Sequence, residues 1–144
     1  MKNKIVELDS VSQIMARWKL KNEKVVFTNG CFDLVHQGHI DYLSKAADLG
    51  TKLIVAVNSD DSVKRLGKGD ERPLQDEKSR AILMAALSFV DLVVIFNDDT
   101  PLYVIEKINP DVLVKGSDYS IENIVGHQSV LANGGEVKTI DFLE

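Results

Sequence analysis

Two histidines three residues apart, His36 and His39, close the segment Thr28-Asn29-Gly30-Cys31-Phe32-Asp33-Leu34-Val35-His36-Gln37-Gly38-His39. A short apolar run precedes the segment and a helical pattern begins at Gln37, so the pair stands where a buried strand turns into a helix. A helix start presents unpaired N–H groups and about half a positive charge, which suits phosphate. Side chains three apart project from one side of such a turn. Two imidazoles there can donate hydrogen bonds to phosphate oxygens as charge grows on them in a transition state. Gly38 would keep the backbone open to a close-approaching phosphate. The same pair could serve as metal ligands, but such a site needs three or four and His127 is the one further histidine. A surface or capping role is the plainer alternative, and Cys31 reads as a small packing residue.

Three other segments carry groups that suit an anionic ligand. The run Lys64-Arg65-Leu66-Gly67-Lys68-Gly69-Asp70-Glu71-Arg72 is the best basic cluster, with glycines that suggest a loop able to close; otherwise it is a solvated face. Arg80 lies on an otherwise apolar helix with Ala81, Ile82, Leu83 and Ala85, approaching the sheet's carboxyl edge, unless it is a surface arginine capping that helix. In Val114-Lys115-Gly116-Ser117-Asp118-Tyr119, Lys115 and Asp118 could contact a ligand, Tyr119 could stack, and the backbone beside Gly116 could read an edge. Asp118 could instead cap a helix beginning near Ser120. His127 and Trp18 read as packing or surface residues.

The elements that would position these groups follow from hydrophobic pattern. Residues 25–27, 53–57, 92–96 and 112–114 are continuous apolar runs, as strands covered on both faces require; 137–142 alternates. Helical patterns at 37–49, 60–66, 76–89, 101–108 and 120–133 separate them. Strand alternating with helix predicts an α/β fold, a doubly wound parallel sheet with helices on both sides. Ligands then sit at the carboxyl ends of strands. Several boundaries have chemical signals. Gly50 can enter the left-handed region after Leu49, Thr100-Pro101 reads as a cap with proline at the first helical position, and Asn109-Pro110 and Asn133-Gly134-Gly135 read as turns. Residues 9–22, with Ser10 as cap candidate and Val11, Ile14, Met15 and Trp18 on one face, predict a helix packed on the sheet or a second subunit.

The chain has 144 residues, 44% of them hydrophobic, and a formal net charge of −5, so one domain with a normal core is expected. The acidic balance excludes a protein that coats nucleic acid. The single cysteine forms no internal disulfide, which points to a reducing compartment. No apolar run approaches the roughly 20 residues of a membrane span, and residues 1–24 have no signal-peptide core. A cytoplasmic protein without a membrane or nucleic-acid partner is the expectation.

The pattern Gly30-x-Phe32-Asp33-x-x-His36-x-Gly38-His39 resembles the signature of the cytidylyltransferase-like nucleotidyltransferases, relatives of the HIGH-motif synthetases. The resemblance runs from Lys24 onward through Ala56-Val57-Asn58-Ser59-Asp60-Asp61, Arg72-Pro73, Ser79-Arg80-Ala81, Asp111 to Tyr119 and Ala132 to Val137. The combination most resembles the adenylyltransferase domains of ADP-heptose synthases. It implies a Rossmann-like sheet and attack of a sugar 1-phosphate oxygen on the α-phosphorus of ATP, releasing pyrophosphate. It implies that His36 and His39 stabilise the α-phosphate, with Lys68 and Arg80 beside the triphosphate. Thr28, Asn29, Gly30, Phe32, Gly38, Lys115, Gly116 and Asp118 would bind the nucleotide. Asp33, Asn58, Asp60, Arg72 and Tyr119 would lie toward the acceptor. Mg²⁺ would come with ATP, held largely by phosphate and water rather than by protein. A homodimer and a cooperating sugar kinase are further expectations.

The family ordinarily continues past its last strand with a Gly-x-Ser-Thr-Thr segment opening a final helix that binds the β- and γ-phosphates. The sequence stops at Glu144 without it, which suggests a truncated chain and keeps a non-catalytic nucleotide-binding module open as a reading. Cytidylyl transfer to glycerol 3-phosphate and adenylyl transfer to FMN are the enzymatic alternatives. A class I aminoacyl-tRNA synthetase is excluded by size.

Overall fold

Continuous apolar runs can only be strands if both faces are covered, and that is how the chain folds. The computed structural model describes all residues except Met1, Lys68, Asp70, Leu143 and Glu144. Its strands are β1 (Val25–Gly30), β2 (Lys52–Asn58), β3 (Leu92–Phe96), β4 (Val112–Gly116) and β5 (Glu136–Ile140). They form one parallel sheet in the order β3-β2-β1-β4-β5. The helices are α1 (Val11–Leu20), α2 (Gln37–Ala47), α3 (Asp60–Arg65), α4 (Glu77–Ala85), α5 (Leu102–Ile108) and α6 (His127–Ala132). One core packs Phe27, Ile54, Val94 and Leu113 with residues of α1, α5 and α6; the other packs Val26, Val55 and Val93 with residues of α2 and α4. The chain winds outward from β1 through β2 to β3, then returns to the other side of β1 with β4. The reversal lies between β1 and β4, and the carboxyl ends of those two strands diverge there.

Several expected boundaries move for physical reasons. β1 and β4 run on beyond their apolar stretches, because the parallel pairing of β1 with β2 continues through Asn29 and Gly30 and that of β4 with β5 through Lys115 and Gly116. The helix expected over 120–133 is broken into a 3₁₀ turn, Ile121–Asn123, and the short α6. Between them Gly126 adopts φ +90°, where a Cβ would meet Ile105 at 2.9 Å. Gly50 is not in the left-handed region; it is needed because a Cβ there would stand 2.5 Å from the Lys24 carbonyl. Asn109, rather than the residues around it, takes the left-handed turn, at φ 50°. Ser10 precedes α1 but its side chain makes no capping bond, and Pro101 stands at the N-cap of α5 rather than one position inside.

The N-terminal segment is not an appendage. Val11 is fully buried, Ile14, Met15 and Trp18 pack on the same core, and Ile5 bridges to Val93 so that the backbone covers the β3 edge. No described helix is long and apolar enough to cross a membrane.

Candidate functional site

The histidine segment leaves β1 and enters α2 through a self-supporting cap. His36 has extended backbone at the N-cap, and its Nδ1 accepts from the Gly38 amide at 3.0 Å, while His39 Nδ1 accepts from the His36 amide at 3.2 Å. Each ring therefore satisfies one orphan amide of the helix, as a capping box does. The same bonds fix the tautomer. With Nδ1 accepting, a neutral ring carries its proton on Nε2, turned away from the helix as a donor. The two rings lie 4.1 Å apart between centroids. Desolvation and the charge of neighbouring His36 push His39 below its ordinary value of 6.5, which favours the neutral donor. Phe32 stands edge-on to His39 and holds a left-handed backbone, φ 50°, unusual for a bulky residue; strain of this kind clusters at functional sites.

The turn between Phe32 and His36 is tied down from outside. Asp33, nearly buried, accepts from the amides of Leu74 and Gln75 and from the Arg72 guanidinium, each at 2.9 Å. Burial opposes ionisation of this carboxyl, but those three donors outweigh it and hold its pKa below the ordinary 3.8. The segment 72–75 is thereby fastened across the site.

A cleft lies over the carboxyl ends of β1 and β4 and has two lobes. The first, about 550 Å³, is lined by His39 with Phe32, Tyr42, Tyr119 and Phe142, and by Arg72, Asp33, Lys115, Gly116 and Asp118. Phe142 stacks on Tyr42 at 4.6 Å and meets His39 edge-on at 5.9 Å. A Cβ on Gly116 would come within 2.7 Å of both Asp118 and Phe142, so only glycine leaves this wall open. The second lobe, about 450 Å³, holds Asn58, Asp99, Thr100 and Asn123 with Leu66, Pro101 and Val125. Asn29, Gly30, Cys31, Lys115 and Tyr119 border both lobes. Both volumes are in the range of small-molecule sites.

The structure thus brings His39, Asn29, Gly30, Phe32, Asp33, Arg72, Lys115, Gly116, Asp118 and Tyr119 to the first lobe; His36 does not line it and reaches it only through His39, whose ring lies 4.1 Å away. It does not bring Thr28 there. Thr28 is fully buried; its hydroxyl donates to the Val114 carbonyl at 3.0 Å and bonds the Tyr42 hydroxyl at 2.8 Å, a link between β1, β4 and α2. Gly38 is buried in the first turn of α2, its amide taken by His36. Asn58 reaches the second lobe, and its side-chain amide donates to Ser62 at 3.1 Å. Lys68 lies outside the described residues.

Arg80 is neither a surface cap nor open to the cleft. It is fully buried. Nε donates to the Gln75 carbonyl at 3.0 Å, Nη1 to the carbonyls of Cys31 (2.8 Å) and Asn58 (2.6 Å), and Nη2 to the Asp60 carboxylate at 2.8 Å. One guanidinium therefore joins the ends of β1 and β2 to the segment before α4. Asp60, expected beside an acceptor, is its partner. The sequence reading passed over Tyr42 and Phe142. Tyr42 had a signal, since it lies three residues after His39 on the same helix; Phe142 had none, because nothing local says what the chain beyond β5 packs against.

Among the described residues no group of three His, Cys, Asp or Glu side chains is placed to hold a metal ion.

Comparison with known proteins places this architecture among relatives. Residues 27–135 match the model of the cytidylyltransferase-like family. The bifunctional protein HldE of Citrifermentans bemidjiense is 54% identical over 142 residues, 99% of this chain and 29% of the relative. That of Pasteurella multocida is 53% identical over 132 residues, 92% of this chain and 28% of the relative. The chain spans less than a third of the length of these curated relatives. Among solved structures, the lipopolysaccharide core biosynthesis protein of Thermoplasma volcanium superposes with a TM-score of 0.69 at 28% identity, covering 85% of this chain and 98% of that one. Pantoate-beta-alanine ligase of Francisella tularensis, solved with beta-gamma ATP and beta-alanine, gives 0.68 at 14% identity, over 97% of this chain and 67% of that one. The second likeness concerns the fold alone.

Proposed function

The chain belongs to the cytidylyltransferase-like family of nucleotidyltransferases, and from that premise we propose that its cleft transfers the adenylyl group of ATP to a sugar 1-phosphate, D-glycero-β-D-manno-heptose 1-phosphate. The observation that carries the reaction class is the histidine cap, two Nε2–H donors presented at the start of α2. The choice of nucleotide and acceptor rests on the sequence resemblance and on the high identity to the HldE relatives.

In this reading an oxygen of the sugar phosphate forms a bond to the α-phosphorus while the bond from that phosphorus to the β-bridging oxygen breaks. The electron pair leaves with pyrophosphate. A phosphate monoester is already ionised near neutral pH, so no general base is required and the protein's work is alignment and charge stabilisation. The Nε2–H groups of His36 and His39, held in place by the bonds of the cap, donate to the α-phosphate oxygens, where charge increases during attack. The aromatic wall of the first lobe accommodates the base. Mg²⁺ arrives as the companion of the triphosphate, as MgATP, and is part of the substrate. A sugar kinase is the companion activity we propose upstream of this reaction.

The test is pyrophosphate release across ATP and CTP against heptose 1-phosphate, glycerol 3-phosphate and FMN. Turnover with ATP and heptose 1-phosphate is expected, and His36→Ala or His39→Ala lowers it by roughly 100-fold or more. Activity confined to CTP refutes the adenylyl assignment; rates unchanged from the parent in both variants refute the role of the histidines. ATP binding measured by calorimetry without turnover on any acceptor would mark a binding module instead.

A further inference from the structure

We propose that Phe142 is a positioning residue for the transfer step: its ring, shelved on Tyr42, holds the His39 imidazole in the cap orientation that aims Nε2–H at the α-phosphate. The inference rests on the nucleotidyl-transfer reading above and names what keeps one of its two donors in place. His39 is tied to the cap by a single hydrogen bond of 3.2 Å, from the His36 amide to Nδ1. A bond of that length selects the tautomer but leaves the ring plane loose, because rotation about the last side-chain bond of a histidine is soft. A donor that stabilises developing charge works best when it is set before the reaction, since reorganising it during the reaction forfeits part of the gain.

Neighbouring rings supply the missing constraint. Phe32 meets His39 at 6.0 Å and 71°, and Phe142 meets it at 5.9 Å and 81°, both edge-to-face arrangements in which aromatic rings attract. Phe32 comes from the same loop, whereas Phe142 is delivered from beyond β5. Ile140 pairs with Gly116 at the end of the β4–β5 ladder, and the Ser117 amide donates to the Ile140 carbonyl at 3.0 Å, which brings the chain to the lip of the first lobe. Gly116 makes the room, for a Cβ there would stand 2.7 Å from the Phe142 ring. Phe142 then lies almost parallel to Tyr42, at 4.6 Å and 10°. Tyr42 is a rigid shelf: it is buried, and its hydroxyl bonds Thr28, which donates to the Val114 carbonyl. Direct contacts therefore run from β4 through Thr28, Tyr42 and Phe142 to His39. Core packing does not account for Phe142, which is 43% exposed and belongs to neither hydrophobic core.

Two measurements test it. The first needs no substrate. In the ¹⁵N-labelled full chain, Phe142→Ala is expected to speed hydrogen exchange of the His36 amide, whose acceptor is the His39 ring, by about 3- to 10-fold, the size that one aromatic contact supports. The Gly38 amide, whose acceptor is the His36 ring, should stay within about twofold. An unchanged His36 amide, or equal acceleration of both amides, overturns the inference. In the second measurement, pyrophosphate release, Phe142→Ala should lower kcat by about 3- to 10-fold and move KM for ATP by a smaller factor, because His39 donates to charge that forms only in the transition state. Phe142→Tyr keeps the ring and should restore both readouts. A defect carried by KM for ATP at the parent kcat would make Phe142 a wall for the base alone, refuting the inference while leaving adenylyl transfer intact. If the parent chain turns over nothing, the reaction reading fails, and the exchange measurement still decides whether Phe142 holds His39.

Discussion

Replacing Arg80 by methionine keeps the apolar stem and removes the guanidinium, so it isolates what the head group does. Four hydrogen bonds are lost. The Gln75 carbonyl and the Asp60 carboxylate belong to residues with access to water, which re-solvates them at little cost. The Asn58 carbonyl is buried and is left unpaired, at about 1–3 kcal/mol, and the part-buried Cys31 carbonyl loses its partner at the low end of that range. The expected loss is about 2–4 kcal/mol, which for a domain of this size corresponds to a fall of roughly 6–13 °C in Tm. Arg80→Lys, keeping charge but not the fork, should lose about half as much.

Urea unfolding of the full chain measures the loss, and calorimetric titration with ATP runs alongside it. If Arg80 joins strand ends, stability falls first and weakened ATP binding follows from a disordered cleft, recovering at low temperature where the variant is folded. The reasoning is refuted if Arg80→Met unfolds within about 0.5 kcal/mol of the parent yet binds ATP at least tenfold more weakly. That pattern would place the guanidinium's work on the triphosphate, as the family resemblance implies.

Protonation of His39 is disfavoured in the folded chain by burial and by the His36 charge, so the unfolded chain binds that proton more readily. Stability should therefore fall as pH drops below about 6.5, and His39→Gln should flatten the slope of the urea midpoint against pH. Asp33 is the opposite kind of group, an acid held below 3.8 despite its burial by the Leu74 and Gln75 amides and Arg72; its contribution is present above that value and lost as pH falls through it. Asp33→Asn should cost about 1–3 kcal/mol and speed limited proteolysis within residues 66–75, read by mass spectrometry. Burial pushes the Tyr42 hydroxyl up to about 12, only partly offset by its bond to Thr28, so stability declines as pH rises from 10 toward 12; Tyr42→Phe should remove that decline in a tyrosinate titration. Gly50→Ala drives a Cβ to 2.5 Å from the Lys24 carbonyl and should destabilise by about 1–3 kcal/mol in the same urea assay.

The strands were legible because burial on both faces leaves no room for polar alternation, and β3 matches its apolar run residue for residue. The histidine cap was legible for a related reason: its bonds are local, spanning two and three residues, so spacing alone describes it. Arg80 was not. Its partners lie 49 and 22 residues away at Cys31 and Asn58, and no local pattern separates an arginine that enters the core from one that reaches a ligand. Thr28 misled for the same reason, since a hydroxyl at the end of an apolar run reads as a ligand group until Val114 and Tyr42 arrive from elsewhere in the chain to bond it. The break at Gly126 was hidden because a single glycine in a helical pattern is tolerable, and the side chain that leaves no room for a Cβ there, Ile105, comes from another helix.

These assignments leave the site with an unexpected electrostatic character. The chain carries a net charge of −5, and its arginines near the cleft face carboxylates: Arg72 meets Asp33, Arg80 meets Asp60, and Arg65 meets Asp99. Among the described residues, these guanidiniums shape the walls and add little net field. At the start of α2 the amides of Gly38, His39 and Ile40 are engaged by His36, and what the cap presents to a phosphate chain is two imidazole donors, one of them held toward neutrality. Oriented dipoles fixed by a helix and its cap stabilise a developing oxyanion without reorganising, and they are screened by salt far less than exposed charges are. Affinity for ATP at this cleft should therefore fall only shallowly with ionic strength. A steep dependence would mean that exposed side-chain cations carry the binding instead.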